Sequence, residues 1–77
     1  GPMQEAIEGE VRKVDREARK LTLRHGPMVA FDMPGMTMVF QVRDDKVLEG
    51  LKAGDKVRFK ADRVNGQFTV TELSPVR

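Results

Sequence analysis

Apolar and polar side chains alternate with a period of two over most of this 77-residue chain, and this pattern constrains the fold more than any other feature. Such alternation is typical of strands that bury one face. It predicts five short strands, which begin near Ile7, Leu21, Met36, Lys56 and Phe68. A break of phase at Val14 predicts a β-bulge near Lys13, and a second change of phase precedes Leu73.

Turn signals separate the predicted strands. Residues 15–19 are polar, Gly26-Pro27 ends the second strand, and Pro34-Gly35 precedes the third, so residues 28–35 form a connection. A short helical turn is expected within residues 44–51, followed by a tight turn at 52–55. Asn65-Gly66 predicts a hairpin with a type I′ turn, because that turn needs positive φ at both central positions.

Five short strands without a long helix predict an all-β fold, in a chain too small for two full sheets. A closed barrel hides the strand edges, so a small five-stranded OB-type β-barrel is the first expectation. A five-stranded SH3-like barrel is the alternative, because strand order cannot be read from the pattern. Residues 1–4, which begin Gly-Pro-Met, indicate a remnant of tag removal, and residues 5–77 are expected to form a single domain.

Composition excludes several kinds of site. The chain has no cysteine, which rules out disulfides and thiolate zinc sites. Fourteen basic and 12 acidic residues leave a net charge of +2, with the signs interleaved, as on a solvated surface rather than a nucleic-acid groove. No stretch approaches the roughly 20 apolar residues of a membrane span, so membrane insertion is not expected.

Methionine and histidine supply the candidate site. Four of the five methionines lie between Met28 and Met38, and the sequence has one histidine. Met36 and Met38 share one face of a strand, about 6–7 Å apart along the backbone. His25 ends the core-facing row of the preceding strand, so its imidazole can meet this pair if the two strands are neighbours. Imidazole and two soft thioethers suit Cu(I) or Ag(I).

Packing is the alternative explanation for the same residues. Methionine is a flexible gap-filler in protein cores, and Met36, Met38 and Phe40 on one face could form part of the core. A single histidine at a strand end is commonly a surface or hydrogen-bonded residue. The joint occurrence of His25, the methionine cluster and Pro34-Gly35 favours a metal site.

Several motifs match a known pattern: Glu8-Gly9, Leu21-Thr22-Leu23-Arg24-His25-Gly26-Pro27, Met33-Pro34-Gly35-Met36-Thr37-Met38-Val39-Phe40 and Leu51-Lys52-Ala53-Gly54-Asp55-Lys56-Val57. Together they resemble the CusF-like periplasmic copper- and silver-binding domains. The resemblance implies a five-stranded OB-type barrel with His25, Met36 and Met38 as metal ligands. It also implies Cu(I) or Ag(I) binding in the bacterial periplasm and delivery to the periplasmic components of a tripartite heavy-metal efflux pump.

Met33 departs from the family pattern. In the free-standing chaperones a tryptophan occupies this position and covers the metal through a cation–π contact. Met33 could donate a further sulfur or serve as apolar cover, whereas Met28 is expected to be packing or loop surface. The substitution points to a CusF-like domain at the carboxy-terminal end of a SilB-type efflux adaptor (membrane fusion) protein. A stand-alone chaperone without the tryptophan would share these residues.

Other functions are less well supported by the sequence. The chain lacks a nucleophile partner for His25 and a Gly-rich phosphate loop, so it is not expected to be an enzyme. An OB module for single-stranded nucleic acid needs exposed aromatics, and Phe31 is the one phenylalanine outside predicted core faces. A structural adaptor whose loop methionines contact a partner protein is a third reading. The isolated domain is expected to be a monomer.

Overall fold

The computed structural model describes residues 6–76 and contains five strands in that range. They are β1 (Ile7–Asp15), β2 (Lys20–His25), β3 (Met36–Val42), β4 (Lys56–Val64) and β5 (Gln67–Pro75). Two short 3-10 helices, Val29–Phe31 and Asp45–Leu48, lie in the connections on either side of β3. The five predicted strands are thereby confirmed. The expected tag remnant at residues 1–4 lies outside the described residues.

The strands close into a barrel in the order β1-β2-β3-β5-β4, with β4 paired to β1. Neighbouring strands are antiparallel, except that β3 and β5 run parallel. This is the order of an OB-type barrel, which is confirmed, and the SH3-like alternative is wrong. The sequence left the choice open because β3 pairs with β5, a strand that is not its neighbour in the chain.

Both predicted changes of phase correspond to irregular pairing. The register of β1 against β2 shifts between Val11 and Lys13, where the sequence predicted a bulge. The register of β4 against β5 shifts between Lys60 and Ala61, which leaves Thr71 as the extra residue before Leu73. Bulges increase local twist, and a sheet of five strands needs that twist to close.

The barrel interior is apolar and its outer face is charged. Outward-facing ion pairs join strand neighbours, Arg58 with Glu8 and Lys60 with Glu72, and both are exposed, so each contributes at most about 1 kcal/mol. Burial of the inner face supplies the stabilisation. The buried hydrophobic side chains are Val11, Leu21, Leu23, Met28, Phe40, Val42, Leu48, Val57, Phe59, Ala61 and Val70.

One seam of the barrel is short. Between residues 6 and 76, β3 and β5 pair only through Gln41 with Thr69 and Val42 with Val70. The first half of β3 therefore pairs with β2 on one side and lacks a strand partner on the other. Over the same range, no helix has the length and apolar character needed to cross a bilayer.

The β4–β5 hairpin provides a test of the fold. Asn65 and Gly66 have φ of 53° and 80°, as the type I′ prediction required. A Cβ at Gly66 would meet no described atom within 4 Å, so Gly66→Ala adds backbone strain alone. We expect a loss of about 1 kcal/mol in the free energy of unfolding, measured by urea denaturation.

Gly26→Ala is the matched control for this substitution. The φ of Gly26 is not positive, and its added Cβ would approach Glu8 O at 3.9 Å, an ordinary contact. Its stability should equal that of the parent or exceed it by less than about 1 kcal/mol. Equal stabilities for the two variants would contradict the assigned turn.

Candidate metal site

The register of β2 against β3 brings the three predicted ligands to one place. His25 lies directly opposite Met36, and Leu23 lies opposite Met38. Directly opposed residues of an antiparallel pair project from the same face, with Cβ atoms about 4.5–5.5 Å apart, and the diagonal neighbour is about 7–8 Å away. His25, Met36 and Met38 therefore share the inner face of the barrel, as the sequence predicted.

The site lies at one mouth of the barrel. Gly9 of β1 pairs with His25 on the side away from Met36, so these three residues form a row across β1, β2 and β3. The next row inward contains Leu23 and Met38, which is half-buried. Side chains from two successive rows on one face are close enough to bind the same ion.

The imidazole of His25 is held in one orientation. The residue is 4% exposed, and its Nδ1 lies 2.7 Å from the Gly26 carbonyl oxygen. A carbonyl oxygen only accepts hydrogen bonds, so Nδ1 donates its proton to it. In the neutral ring Nε2 then carries the free lone pair. The sequence left the choice between Nε2 and Nδ1 open, and this hydrogen bond favours Nε2.

Nε2 of His25 is buried and has no hydrogen-bond partner among the described residues. Leaving a buried polar atom without a partner costs about 1–3 kcal/mol. Folded proteins satisfy most such atoms, so an exception calls for a physical reason. A buried lone pair on the face that His25 shares with Met36 and Met38 is what a metal ligand requires.

Two phenylalanines hold the His25 ring from the interior. The rings of Phe40 and Phe59 contact it edge-on, with centroid distances of 5.6 and 6.4 Å and interplanar angles of 75° and 76°. Phe40 and Phe59 also contact each other at 5.3 Å. This apolar packing excludes water from the inner side of the imidazole and restricts its rotation.

The two β3 methionines differ in access to solvent. Met36 is 43% exposed at the start of β3, and Met38 is half-buried one row further in. The intervening Thr37 is exposed on the outer face, as the alternation requires. Exposure therefore falls from Met36 through Met38 to His25, which gives the site one open side.

The connection between β2 and β3 runs from His25 to Met36 and is closed by its own hydrogen bonds. Met28 and Met33 pair through two backbone hydrogen bonds, 2.9 Å from Met28 N to Met33 O and 3.1 Å from Met33 N to Met28 O. Met28 is 1% exposed within the core, which agrees with the packing role expected for it. Met33 is half-buried and packs against the core, a contact that favours the covering role.

The donor set is soft and neutral. No group of three or more His, Asp or Glu side chains that could hold a metal occurs in residues 6–76. One imidazole nitrogen and two thioether sulfurs carry no charge, and thioethers bind soft monovalent ions in preference to Mg²⁺, Ca²⁺ or Zn²⁺. The chemistry of the site therefore fits Cu(I) or Ag(I).

Two backbone features of the site were not among the predicted site residues. The Gly26 carbonyl that fixes the imidazole is invisible in a pattern of side chains. Gly9 carried a signal, because a glycine within a core-facing row suggests a close approach of another group. A Cβ at Gly9 would lie 3.0 Å from Phe59 Cε1 and 3.2 Å from Arg24 O.

Phe31 corrects an expectation from the sequence. It was the aromatic expected outside the core faces, but it is half-buried and lies edge-on against Phe68, with centroids 5.1 Å apart. Phe40 and Phe59 are buried as expected, whereas Phe68 is half-buried. The alternation could not reveal the Phe31 contact, because Phe31 comes from a connection without a strand period.

A family model described as "Copper binding periplasmic protein CusF" matches residues 4–75. The chain belongs to this family. Among curated relatives, the cation efflux system protein CusF of Escherichia coli O157:H7 is 41% identical over 51 residues, or 66% of this chain. The corresponding protein of Escherichia coli K12 is 39% identical over 51 residues. The matched region is 46% of each relative's length.

Solved structures of the family have the same fold. Apo-CusF from Escherichia coli superposes with a TM-score of 0.82 at 28% identity, over 94% of this chain and 86% of the other. A crystal structure of Ag(I)CusF gives 0.79 at 26% identity, over 97% of this chain and 100% of the other. The resemblance seen in the sequence motifs is therefore confirmed for the family and the barrel.

The space beside Gly9 yields a second prediction. Gly9→Ala places a methyl group against the Phe59 ring and the Arg24 carbonyl, and Phe59 packs against His25. We expect the free energy of unfolding to fall by about 1–3 kcal/mol, as for other over-packed cores. The measurement is urea denaturation, with the His25 ring signals followed by NMR.

Gly26→Ala again serves as the control, since it lies next to His25 without a close contact for its Cβ. A Gly9→Ala variant that keeps full stability and unshifted His25 ring signals would show that this contact does not position the imidazole.

Proposed function

We propose that this domain binds one Cu(I) or Ag(I) ion through His25 Nε2 and the sulfurs of Met36 and Met38. The domain then passes the ion on within a periplasmic heavy-metal efflux system. It acts as a carrier and not as an enzyme, because it binds and releases the ion without converting a substrate into a product.

The buried lone pair of His25 is the observation that carries this proposal. His25 lies opposite Met36, and its Nδ1 is held by the Gly26 carbonyl, so Nε2 is the ring nitrogen left for an ion. A packing role for His25 would leave its Nε2 without a partner in the described chain, at a cost in stability. A bound soft cation removes that cost by accepting the lone pair.

The uneven exposure of the ligands supports stepwise exchange. Met36, the most exposed of the three, is the first sulfur that an arriving ion meets and the last that it leaves. A methionine of an acceptor site can approach from the same side and replace the thioethers one at a time. Neutral ligands leave the positive charge uncompensated, which favours exchange over permanent storage.

The relatives support the cellular setting. Their names describe a periplasmic copper-binding protein and a cation efflux system, and one related structure contains Ag(I). We assign this domain to the periplasm and to the periplasmic components of a tripartite efflux pump. It acts there as a monomeric module, and Met33 in place of the capping tryptophan fits a domain attached to a SilB-type adaptor.

Replacing the ligands tests the site. His25→Phe, Met36→Leu and Met38→Leu each remove one donor while keeping an apolar side chain of similar size. We expect each to weaken Ag(I) binding more than about 10-fold. Even the loss of a residue that supports a ligand typically weakens metal binding by about 10-fold, so the loss of a ligand itself should cost more. Competition titration with a calibrated chelator measures the affinity, and urea denaturation checks the fold.

Met28→Leu is the matched control, because Met28 is a core methionine outside the proposed ligand set. Binding by Met36→Leu that equals binding by Met28→Leu would overturn the ligand assignment. Met33→Leu distinguishes the roles of that residue: a loss as large as that of Met36→Leu identifies a fourth ligand, and a small loss identifies apolar cover.

The ring nitrogens of His25 provide an independent test. Two-bond ¹H–¹⁵N correlation spectra of the metal-free domain at neutral pH should show the tautomer with the proton on Nδ1. Ag(I) should then shift the Nε2 resonance more than that of Nδ1. A metal-free ring with its proton on Nε2 would contradict both the hydrogen bond to Gly26 and the proposed metal ligand.

A further inference from the structure

The four phenylalanines and the histidine of this sequence form one connected set of edge-to-face contacts. Phe31 contacts Phe68 at 5.1 Å and 88°, and Phe68 contacts Phe40 at 6.4 Å and 69°. Phe40 in turn contacts His25, as described above. The chain of rings begins in the connection between β2 and β3 and ends at the proposed metal ligand His25.

Phe31 and Phe68 meet where the barrel wall is incomplete. The short pairing of β3 with β5 starts at Gln41, so the first half of β3 and the start of β5 are not joined by a ladder between residues 6 and 76. Phe68 lies at the start of β5, and Phe31 reaches it from the connection between β2 and β3. A side-chain contact thus fastens the connection where strand pairing is missing.

Arg63 supports Phe68 from β4. The two residues are cross-strand partners, and the guanidinium carbon lies 5.0 Å from the centroid of the ring. This cation–π contact and the Phe31 contact both restrict the Phe68 ring. We use the term clasp for Phe31, Phe68 and Arg63.

The connection held by the clasp is a small closed unit. The Met28 carbonyl accepts hydrogen bonds from Phe31 N and Met33 N, each at 3.1 Å. Asp32 adopts φ of 52° and donates its N–H to Val29 O at 3.1 Å. Met28 anchors one end of this unit in the core, and Phe31 anchors its tip on β5.

We propose that Phe31 and Phe68 are positioning residues that hold the 28–33 connection, which links His25 to Met36 along the chain, and set the rate at which the ion enters and leaves. This inference rests on the proposed function, since the rate concerns the ion held by His25, Met36 and Met38. Among the rings, Phe31 is linked to His25 through Phe68 and Phe40.

Loss of a clasp residue and loss of a metal ligand have different expected effects on exchange rates and Kd. The contacts of the clasp involve none of the three proposed ligands, so it stabilises the closed connection with or without the ion. Loosening it raises the open population of both forms by the same factor. Association and dissociation therefore accelerate together while Kd stays constant, whereas loss of a ligand raises Kd.

The first measurement needs no metal. Amide hydrogen exchange of Met28 and Met33 reports opening of the connection, because their N–H groups bond across it. Phe31→Ala should accelerate both exchange rates about three- to ten-fold, the range expected for the loss of one aromatic pair. Phe31→Tyr, which keeps the ring, should restore the parental rates.

Val29→Ala is the matched control within the same 3-10 helix. Val29 is 85% exposed, so its truncation alters the connection without touching the clasp. Its amide exchange rates should equal those of the parent. Equal acceleration in Val29→Ala and Phe31→Ala, or none in either, would overturn the clasp whether or not the domain binds metal.

The second measurement follows Ag(I) exchange by stopped flow, with transfer to a methionine peptide. Phe31→Ala should raise the association and dissociation rates by the same factor, about three- to ten-fold, with unchanged Kd. In a Phe68→Leu background, Phe31→Ala should add no further acceleration, because its partner ring is already absent.

The two proposals can fail separately. A parental domain that binds no Ag(I) would refute the proposed function, and the amide measurement would still decide the clasp. A parental domain that binds Ag(I), combined with unaltered rates in Phe31→Ala or with a raised Kd at a constant association rate, would refute the clasp alone.

Discussion

The hydrogen bond from His25 Nδ1 to the Gly26 carbonyl is the interaction on which the rest of the site depends. It fixes the tautomer and the direction of the ring, and so it decides which nitrogen is available to an ion. The bond forms because β2 ends at His25. The backbone leaves the strand there, so the carbonyl of the next residue, Gly26, can accept a hydrogen bond from the ring. A strand end thereby supports the proposed ligand, as carboxylates or carbonyls do behind many metal-bound histidines.

The core surrounds this ring with apolar groups and keeps the donor set neutral. Phe40 and Phe59 pack against the imidazole, and Gly9 leaves the space that Phe59 occupies. The same packing buries Nε2 away from any partner in residues 6–76, which costs stability unless a ligand engages that atom. Sites that sacrifice stability in this way are typical of function, because selection for packing alone would remove the polar atom.

The barrel and the connection between β2 and β3 have different roles at the proposed site. Pairing of β2 with β3 fixes His25 and both β3 methionines in register. The connection between these two strands is held through its own hydrogen bonds and through the Phe31 contact with Phe68. For the proposed ion carrier, affinity and exchange rate then depend on different residues, namely the ligands and the Phe31–Phe68 contact.

The sequence by itself determined the strands, both changes of phase, the Asn65-Gly66 turn and the shared face of Met36 and Met38. Each follows from local rules, namely the period of two and the conformational needs of a turn. The same pattern favoured a closed barrel and a His and Met site, and the family motifs supported both expectations. Local rules could not give the strand order, since β3 pairs with β5 across a long stretch of chain.

Only the tertiary structure placed His25 opposite Met36, buried its Nε2, and joined Phe31 to Phe68. These features arise from contacts between distant parts of the chain or from a backbone carbonyl. The alternation of side chains carries no information about either kind of contact. It shows on which face of a strand a residue lies, but not which groups that face packs against.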